Sequence, residues 1–280
     1  MFNLVNIGFI GAGKVGCSLG RYFILHGFFV SGYYSRSTDS AKKAAELTNS
    51  IVFENVENLI ETCDIVFITV PDSVIEDVWN GIKDYQLDGK IICHCSGAMS
   101  SEVFDTIYVS NVGRCSIHPL MAVSSREHDM SQAFFTIEGN PQGLSQIRKL
   151  LDECGNTYQE ITKDNKVRYH AAAAVASNLV VGLLDMSVSM LMNCGFSEER
   201  AREALTPLVV GNAQAVMNKG TREALTGPVS RGDVITVKKH MDILQDGESE
   251  IYRLLSLRLL ELADLSKEDD YNKMKGRLEK

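Results

Sequence analysis

Apolar and polar positions alternate in blocks along the first half of the chain, with short β-branched runs separated by amphipathic stretches. Val5–Ile10, Phe28–Tyr34, Ile65–Val70, Lys90–His94, Gly113–His118 and Phe134–Glu138 predict strands. Between the early ones, Lys14–His26, Ser40–Leu47 and Ser73–Trp79 predict helices. The runs are apolar throughout rather than at every second position, so a sheet built from them is buried on both faces. Strands of that kind joined by helices predict an α/β fold with a doubly wound parallel sheet.

Beyond Gly155 the pattern changes. Tyr158–Ile161 is the last strand-like run, and no proline occurs between Pro141 and Pro207. Lys163–Asn193 is rich in Ala, Leu, Val and Met, which predicts one long helix. Gly195 reads as its stop signal and Ser197 as the cap of the next helix, with Glu198 and Glu199 in the first turn. Residues 1–160 are thus expected to form the sheet domain and residues 161–280 an all-α domain. No flexible linker separates them, so a cleft is expected where they meet.

Composition narrows the class. The 280 residues are 45% hydrophobic, ample for one or two cores, and the net charge of −8 repels a phosphate backbone, which argues against a nucleic-acid partner. Seven cysteines, with no basic or cleavable segment ahead of Val5, read as reduced thiols of a cytoplasmic protein. The longest apolar stretch, Ala171–Leu184, is interrupted by Ser177 and Asn178 and falls short of the ~20 residues that span a bilayer, so no membrane association is expected.

Gly11-Ala12-Gly13-Lys14-Val15-Gly16 follows the first strand and opens the first helix, the context that gives a G-x-G-x-x-G pattern its meaning. Gly11 permits the tight turn, Gly13 lets backbone approach a pyrophosphate, and Gly16 lets helix and strand pack closely. The helix N-terminus then offers free N–H groups and partial positive charge to the phosphates. At the tip of the second strand, where an NAD site carries a carboxylate for the ribose 2′-hydroxyl, this chain has Tyr34-Ser35-Arg36-Ser37-Thr38. An arginine flanked by hydroxyls suits a 2′-phosphate, which selects NADP(H); the alternative is a solvated surface charge. Asp39 is expected to cap the next helix, with Thr38 as the competing cap. Val70-Pro71-Asp72 and Ser96-Gly97 end two further strands and are expected to border the cofactor, although Asp72 is also a natural helix cap.

These segments, together with His118-Pro119-Leu120, Lys166–Asn178 and Leu225-Thr226-Gly227-Pro228, stand in the order found in one group. The chain resembles the Rossmann-like oxidoreductase family whose helical C-terminal domain is of unknown function, a group related to pyrroline-carboxylate reductase, the β-hydroxyacid dehydrogenases and prephenate dehydrogenase. The resemblance covers nearly the whole chain. It implies a doubly wound Rossmann-type parallel sheet followed by an all-α C-terminal domain, an NADP(H)-dependent activity on a small molecule, and a homodimer formed by the helical domain.

Candidate chemistry gathers on the predicted long helix. Lys166 and His170 are four residues apart, about 40° around the axis, and Ser177 returns to the same face while Asn178 lies roughly 80° away. Hydride arriving at a carbonyl or imine carbon leaves a heteroatom that must be protonated, so an ammonium and an imidazole beside it would serve. The β-hydroxyacid dehydrogenases use a lysine with an asparagine four residues on; here His170 takes that later position. The bland alternative is a solvated Lys166 and a hydrogen-bonded His170. His118-Pro119 resembles the His-Pro segment of prephenate dehydrogenases, or is a turn fixed by proline. Thr226 and Arg231 lie in a polar turn of the second domain, Arg231 as a clamp for a substrate carboxylate or as half of a surface pair with Asp233. Cys93-His94-Cys95 has no second cysteine pair to complete a zinc spacing and alternation points His94 away from both thiols, so no metal is expected and core packing is. The leading expectation is hydride transfer to or from a small carbonyl, hydroxyl or imine substrate carrying a carboxylate. A prephenate-type oxidative dehydrogenase and a non-catalytic NADP-binding sensor or scaffold are the alternatives.

Overall fold

The computed structural model describes residues 5–105, 111–263 and 268–279. Its sheet comprises β1 (Asn6–Ile10), β2 (Phe29–Tyr34), β3 (Ile51–Val52), β4 (Ile65–Ile68), β5 (Ile91–His94), β6 (Gly113–Pro119), β7 (Phe135–Gly139) and β8 (Tyr158–Glu160). The first part of the chain interleaves them with α1 (Lys14–Leu25), α2 (Thr38–Thr48), α3 (Val56–Thr62), α4 (Asp72–Ile82) and α5 (Pro141–Cys154). Then follow α6 (Lys166–Ala176), α7 (Asn178–Asn193), α8 (Glu198–Lys219), α9 (Thr221–Ala224), α10 (Val234–Ile243), α11 (Asp246–Leu262) and α12 (Glu268–Leu278).

Strand order is β3-β2-β1-β4-β5-β6-β7-β8. Every pairing is parallel except β6 with β7, whose strands are joined by a loop rather than a crossover helix. Because β1 lies between β2 and β4, the chain leaves β1 in both directions, and a crevice opens at the carboxyl ends of the strands. All-apolar strands bury two layers. Phe9, Phe23, Phe67 and Leu151 belong to the cluster on one face; Ile10, Leu59, Ile68 and Trp79 belong to the other. Phe9 stacks on Tyr33 and Phe67 at centroid distances of 5.1 and 5.3 Å.

The chain divides into two compact units, residues 1–178 and 179–280. The first holds the sheet and also α6. The second is helical, with a small cluster around Val229, Val237, Leu260 and Met274. Gly195 adopts φ +93° as a stop, and Ser197 caps α8 by accepting from the Arg200 N–H.

Two expectations about helices are corrected. Lys163–Asn193 is not one continuous helix: a 3₁₀ turn precedes α6, and Ser177, at φ −124° and ψ −79°, separates α6 from α7. The Ser177 hydroxyl donates 2.7 Å back to the Ala173 carbonyl, a side-chain bond that competes with the helical ladder. The cap of α2 is Ser37, accepting from the Ser40 N–H, and Asp39 stands in the first turn instead. Within Lys163–Asn193 a window of 18 residues is, by length and composition only, apolar enough to cross a membrane, which the count of uninterrupted apolar residues does not anticipate.

Candidate active site

The glycine turn is built as its spacing implies. Gly11 holds φ +109° with its N–H donating to the Tyr34 carbonyl, and a Cβ there would meet the Thr69 carbonyl oxygen at 2.6 Å. At Gly16 a Cβ would strike the Thr69 hydroxyl at 2.4 Å and the Gly11 oxygen at 2.8 Å, so helix and strands close only over a hydrogen. Around Gly13, which occupies the N-cap position of α1, a Cβ would meet nothing nearer than 3.9 Å. Its backbone faces open space, where an anion can reach the free N–H groups of α1.

That space is a pocket of about 390 Å³ bounded by the glycine turn, by Tyr34 at the end of β2 with Ser35 and Arg36 after it, and by Thr69, Val70 and Pro71 after β4. Arg36 and Gly13 line it and are exposed, Ala12 is buried and Val15 half-buried, while Ser37 and Lys14, next to them in the chain, are exposed but do not line it. Arg126, from the loop between β6 and β7, also lines it. Nothing local in the sequence marks Arg126, since only the tertiary fold returns that loop to the turn.

A second group of polar residues adjoins the wall formed by Val70 and Pro71. Asp72, the first residue of α4, makes no capping bond; its carboxylate accepts from the Ser96 hydroxyl at 2.5 Å. The same hydroxyl accepts from the Met99 N–H at 3.0 Å, fixing the turn after β5. Above that turn stand two imidazoles. A Cβ on Gly97 would lie 2.5 Å from His170 Cδ2 and 3.0 Å from His118 Nε2, so this glycine is what lets both rings approach the backbone. The two rings are 6.2 Å apart and nearly perpendicular.

Lys166 lies beneath them. The expectation was an ammonium presented to substrate; instead Lys166 is 1% exposed and Nζ donates to the Ser96 carbonyl at 2.9 Å and to the Ser116 hydroxyl. Burial lowers its pKa to about 8. Burial foremost, with the ammonium of Lys166 second and His170 third, brings His118 down to about 4, so its ring is neutral at physiological pH. His118 Nδ1 is 2.7 Å from the Tyr169 hydroxyl, which leaves Nε2 directed toward Gly97. Tyr169 and Ser116 escaped the sequence reading, though both carry a signal. Ser116 shares a face of β6 with His118 two residues on, and Tyr169 adjoins His170.

The remaining candidates fall elsewhere. Ser177 and Asn178 are exposed at the break after α6, bonded locally rather than to the histidines. Thr226 and Arg231 belong to the second unit and are exposed; Asp233, read as a possible partner of Arg231, instead caps α10 by accepting from the Thr236 N–H and hydroxyl. His94 is fully buried, accepts from the Ser96 N–H at Nδ1, faces the Ser100 carbonyl at Nε2 and packs on Phe104, while Cys93 joins the opposite apolar layer. Burial lowers its pKa to about 4, so it too is neutral.

A mostly parallel sheet reversing at β1, with a glycine turn at that reversal and helices following, defines a Rossmann-type fold with a helical C-terminal region. Residues 6–96 match the family described as NADP oxidoreductase coenzyme F420-dependent, and residues 133–259 match the domain of unknown function DUF2520. Among solved structures, protein TM1727 from Thermotoga maritima is 30% identical, with 92% of this chain and 98% of that one covered and a TM-score of 0.73. Pyrroline carboxylate reductase from Plasmodium falciparum, with NADP bound, is 17% identical over 100% and 97% of the two chains, at a TM-score of 0.60. The reductive aminase of Aspergillus terreus, in complex with NADPH and ethyl-5-oxohexanoate, is 12% identical over 99% and 93%, also at 0.60. No curated protein matches the chain. This chain belongs to the family that joins an F420-dependent-type NADP oxidoreductase Rossmann domain to a DUF2520 C-terminal domain.

Proposed function

We propose that this protein is an NADP(H)-dependent oxidoreductase that moves a hydride to or from a small carbonyl, hydroxyl or imine substrate carrying a carboxylate. The observation that carries the reading is the closure of His118 and His170 on Gly97, tied through Ser96 and Asp72 to the wall of the nucleotide-sized pocket. The name of the Plasmodium falciparum neighbour supports an imine with a carboxylate.

The residues present fit a dinucleotide. The open backbone at Gly13 and the N-terminus of α1 would hold the diphosphate, and Ser35, Arg36 and Ser37 a 2′-phosphate. When bound, the nicotinamide supplies or accepts the hydride. Neutral His118 offers Nε2 to the substrate heteroatom, and exposed His170 exchanges its proton with solvent. Lys166 acts from below: its charge raises the local positive potential without touching substrate. The helical part from residue 161 supplies Lys166 and His170 to this chemistry, and its remainder the surface for a second copy of the chain. Oxidation of a hydroxy acid is the second reading, and it uses the other tautomer of neutral His118, in which Nδ1–H donates to the Tyr169 hydroxyl and leaves Nε2 bare to accept a proton.

Titration with nucleotides and a panel of carbonyl, imine and hydroxy acid substrates tests this. NADPH is expected to bind more tightly than NADH, and Arg36→Ala to reduce the preference. His118→Ala and His170→Ala should retain NADPH binding and lose roughly 10²- to 10⁴-fold in turnover. Equal nucleotide affinities in the wild type defeat the cofactor assignment, and full turnover in both histidine variants defeats the catalytic one.

A further inference from the structure

The loop between β6 and β7 returns to the glycine turn with its backbone pinned on α1. The Ser125 carbonyl accepts from the Ser18 hydroxyl at 3.1 Å, and Glu127 pairs with Arg21 at 3.7 Å. Between these anchors Arg126, half-buried, turns into the nucleotide pocket. Its Nε donates to the Ala12 carbonyl and one terminal nitrogen to the Ser40 hydroxyl, each at 3.3 Å. Both acceptors are neutral. A guanidinium has five donors in a rigid fork, and these two bonds leave its charge unmatched; it also lies against Cys17 and lines an adjoining pocket with Glu46 and Glu127 as well as the nucleotide pocket.

The two bonds locate it. Ala12 belongs to the turn that would carry the diphosphate, and Ser40 to the first turn of α2, directly after the Ser35-Arg36-Ser37 tip. Arg126 therefore spans from the diphosphate turn to the edge where the ribose 2′ position would lie. Charge balance asks for a second cation there. A phosphate monoester carries about −1.5 to −2 at pH 7, and exposed Asp39 in the same helical turn adds another negative charge, so the group is better balanced by a second guanidinium beside Arg36, with Lys14 and Lys43 lining the adjoining pocket.

We propose that Arg126 is a second 2′-phosphate arginine, closing on the group from the side opposite Arg36 and setting the preference for NADP over NAD. This rests on the cofactor reading above. It differs from a diphosphate contact in one measurable way: a diphosphate arginine serves NADH and NADPH alike, whereas a 2′-phosphate arginine serves only NADPH.

The test is calorimetric titration of the full chain with NADPH and NADH for the wild type, Arg126→Gln and Arg126→Lys. Gln keeps a donor for Ser40 and Ala12 and removes the charge; Lys keeps the charge and removes the fork. Arg126→Gln should weaken NADPH by roughly 10- to 100-fold and leave NADH within about twofold, with Arg126→Lys between. Unchanged NADH affinity also certifies that the variant is folded. Parallel loss of both nucleotides, or no loss of NADPH in a wild type that prefers it, overturns the assignment to Arg126 alone. A wild type with no preference for NADPH overturns the cofactor reading and this inference with it.

Discussion

Lys166 shows what a single residue's surroundings demand. An ammonium that is 1% exposed has given up nearly all its hydration for a carbonyl and a hydroxyl, neither of them charged. Its pKa falls from 10.5 to about 8, so between those values the unfolded chain binds more protons than the folded one, and stability must rise with pH. The shift corresponds to roughly 3 kcal/mol across the window. Lys166→Met lacks that dependence. Relative to the wild type, the variant should therefore be most favoured below pH 8 and lose roughly 3 kcal/mol of that advantage by pH 10.5. Urea unfolding at the two ends of the window reads the difference, and a gap independent of pH would show that the ammonium is solvated. Periodicity alone put Lys166 and His170 on one face, but the depth at which each side chain ends is a property of what packs over it. The glycines of the turn were legible because their constraint is local: a short stretch of strand, turn and helix decides it. Arg126 was not, because its partners lie 86 and 114 residues away.

At the scale of elements, punctuation mattered more than hydrophobic pattern. Most strands were legible from apolar runs, but the two-residue β3 and the helices α3 and α5 went unread, α5 although its boundary signals are strong. Asn140 caps it, Pro141 occupies the first turn, and Gly155 ends it at φ +74°. Ser177 was missed as a breaker for the converse reason: apolar residues on both sides read as continuous helix, while its hydroxyl bonds the backbone one turn back. Asn140 does more than cap. Its side-chain oxygen accepts from Gly143 at 2.9 Å and from Arg114 at 3.0 Å, and its nitrogen donates to the Val112 carbonyl at 2.8 Å. It thus fastens α5 to the start of β6, the strand that ends at His118. A simple cap is worth about 1 kcal/mol, and two further bonds to half-buried backbone bring the expected cost of Asn140→Ala to roughly 3 kcal/mol. Chemical denaturation measures it; a loss of only about 1 kcal/mol would mean that the bonds to Arg114 and Val112 contribute nothing.

Across the whole molecule, burial is uneven. The sheet unit has apolar layers on both faces, but in the helical unit α7 has no buried residue and α8 has one, Ala201. Leu179, Val181, Leu208, Val210 and Met217 are between 48% and 82% exposed. Apolar surface on that scale calls for a cover. Lipid suits α7 poorly, because it carries Asp185 near its middle and an acid at the centre of a spanning helix costs roughly 3 kcal/mol, while α8 carries its charges at its two ends, between Glu198 and Glu203 and at Lys219. A protein surface of the same kind accommodates both, and a second copy of the chain supplies one by symmetry. We therefore expect a homodimer, with twice the 30.9 kDa of the chain by light scattering in detergent-free buffer at micromolar concentration. Val181→Glu and Leu208→Glu should each shift the mass toward 30.9 kDa. Nucleotide binding, which uses the first unit, should survive in both. A monomer that stays dispersed without detergent would remove the second copy from the argument, and one that disperses only with detergent would return the surface to the membrane.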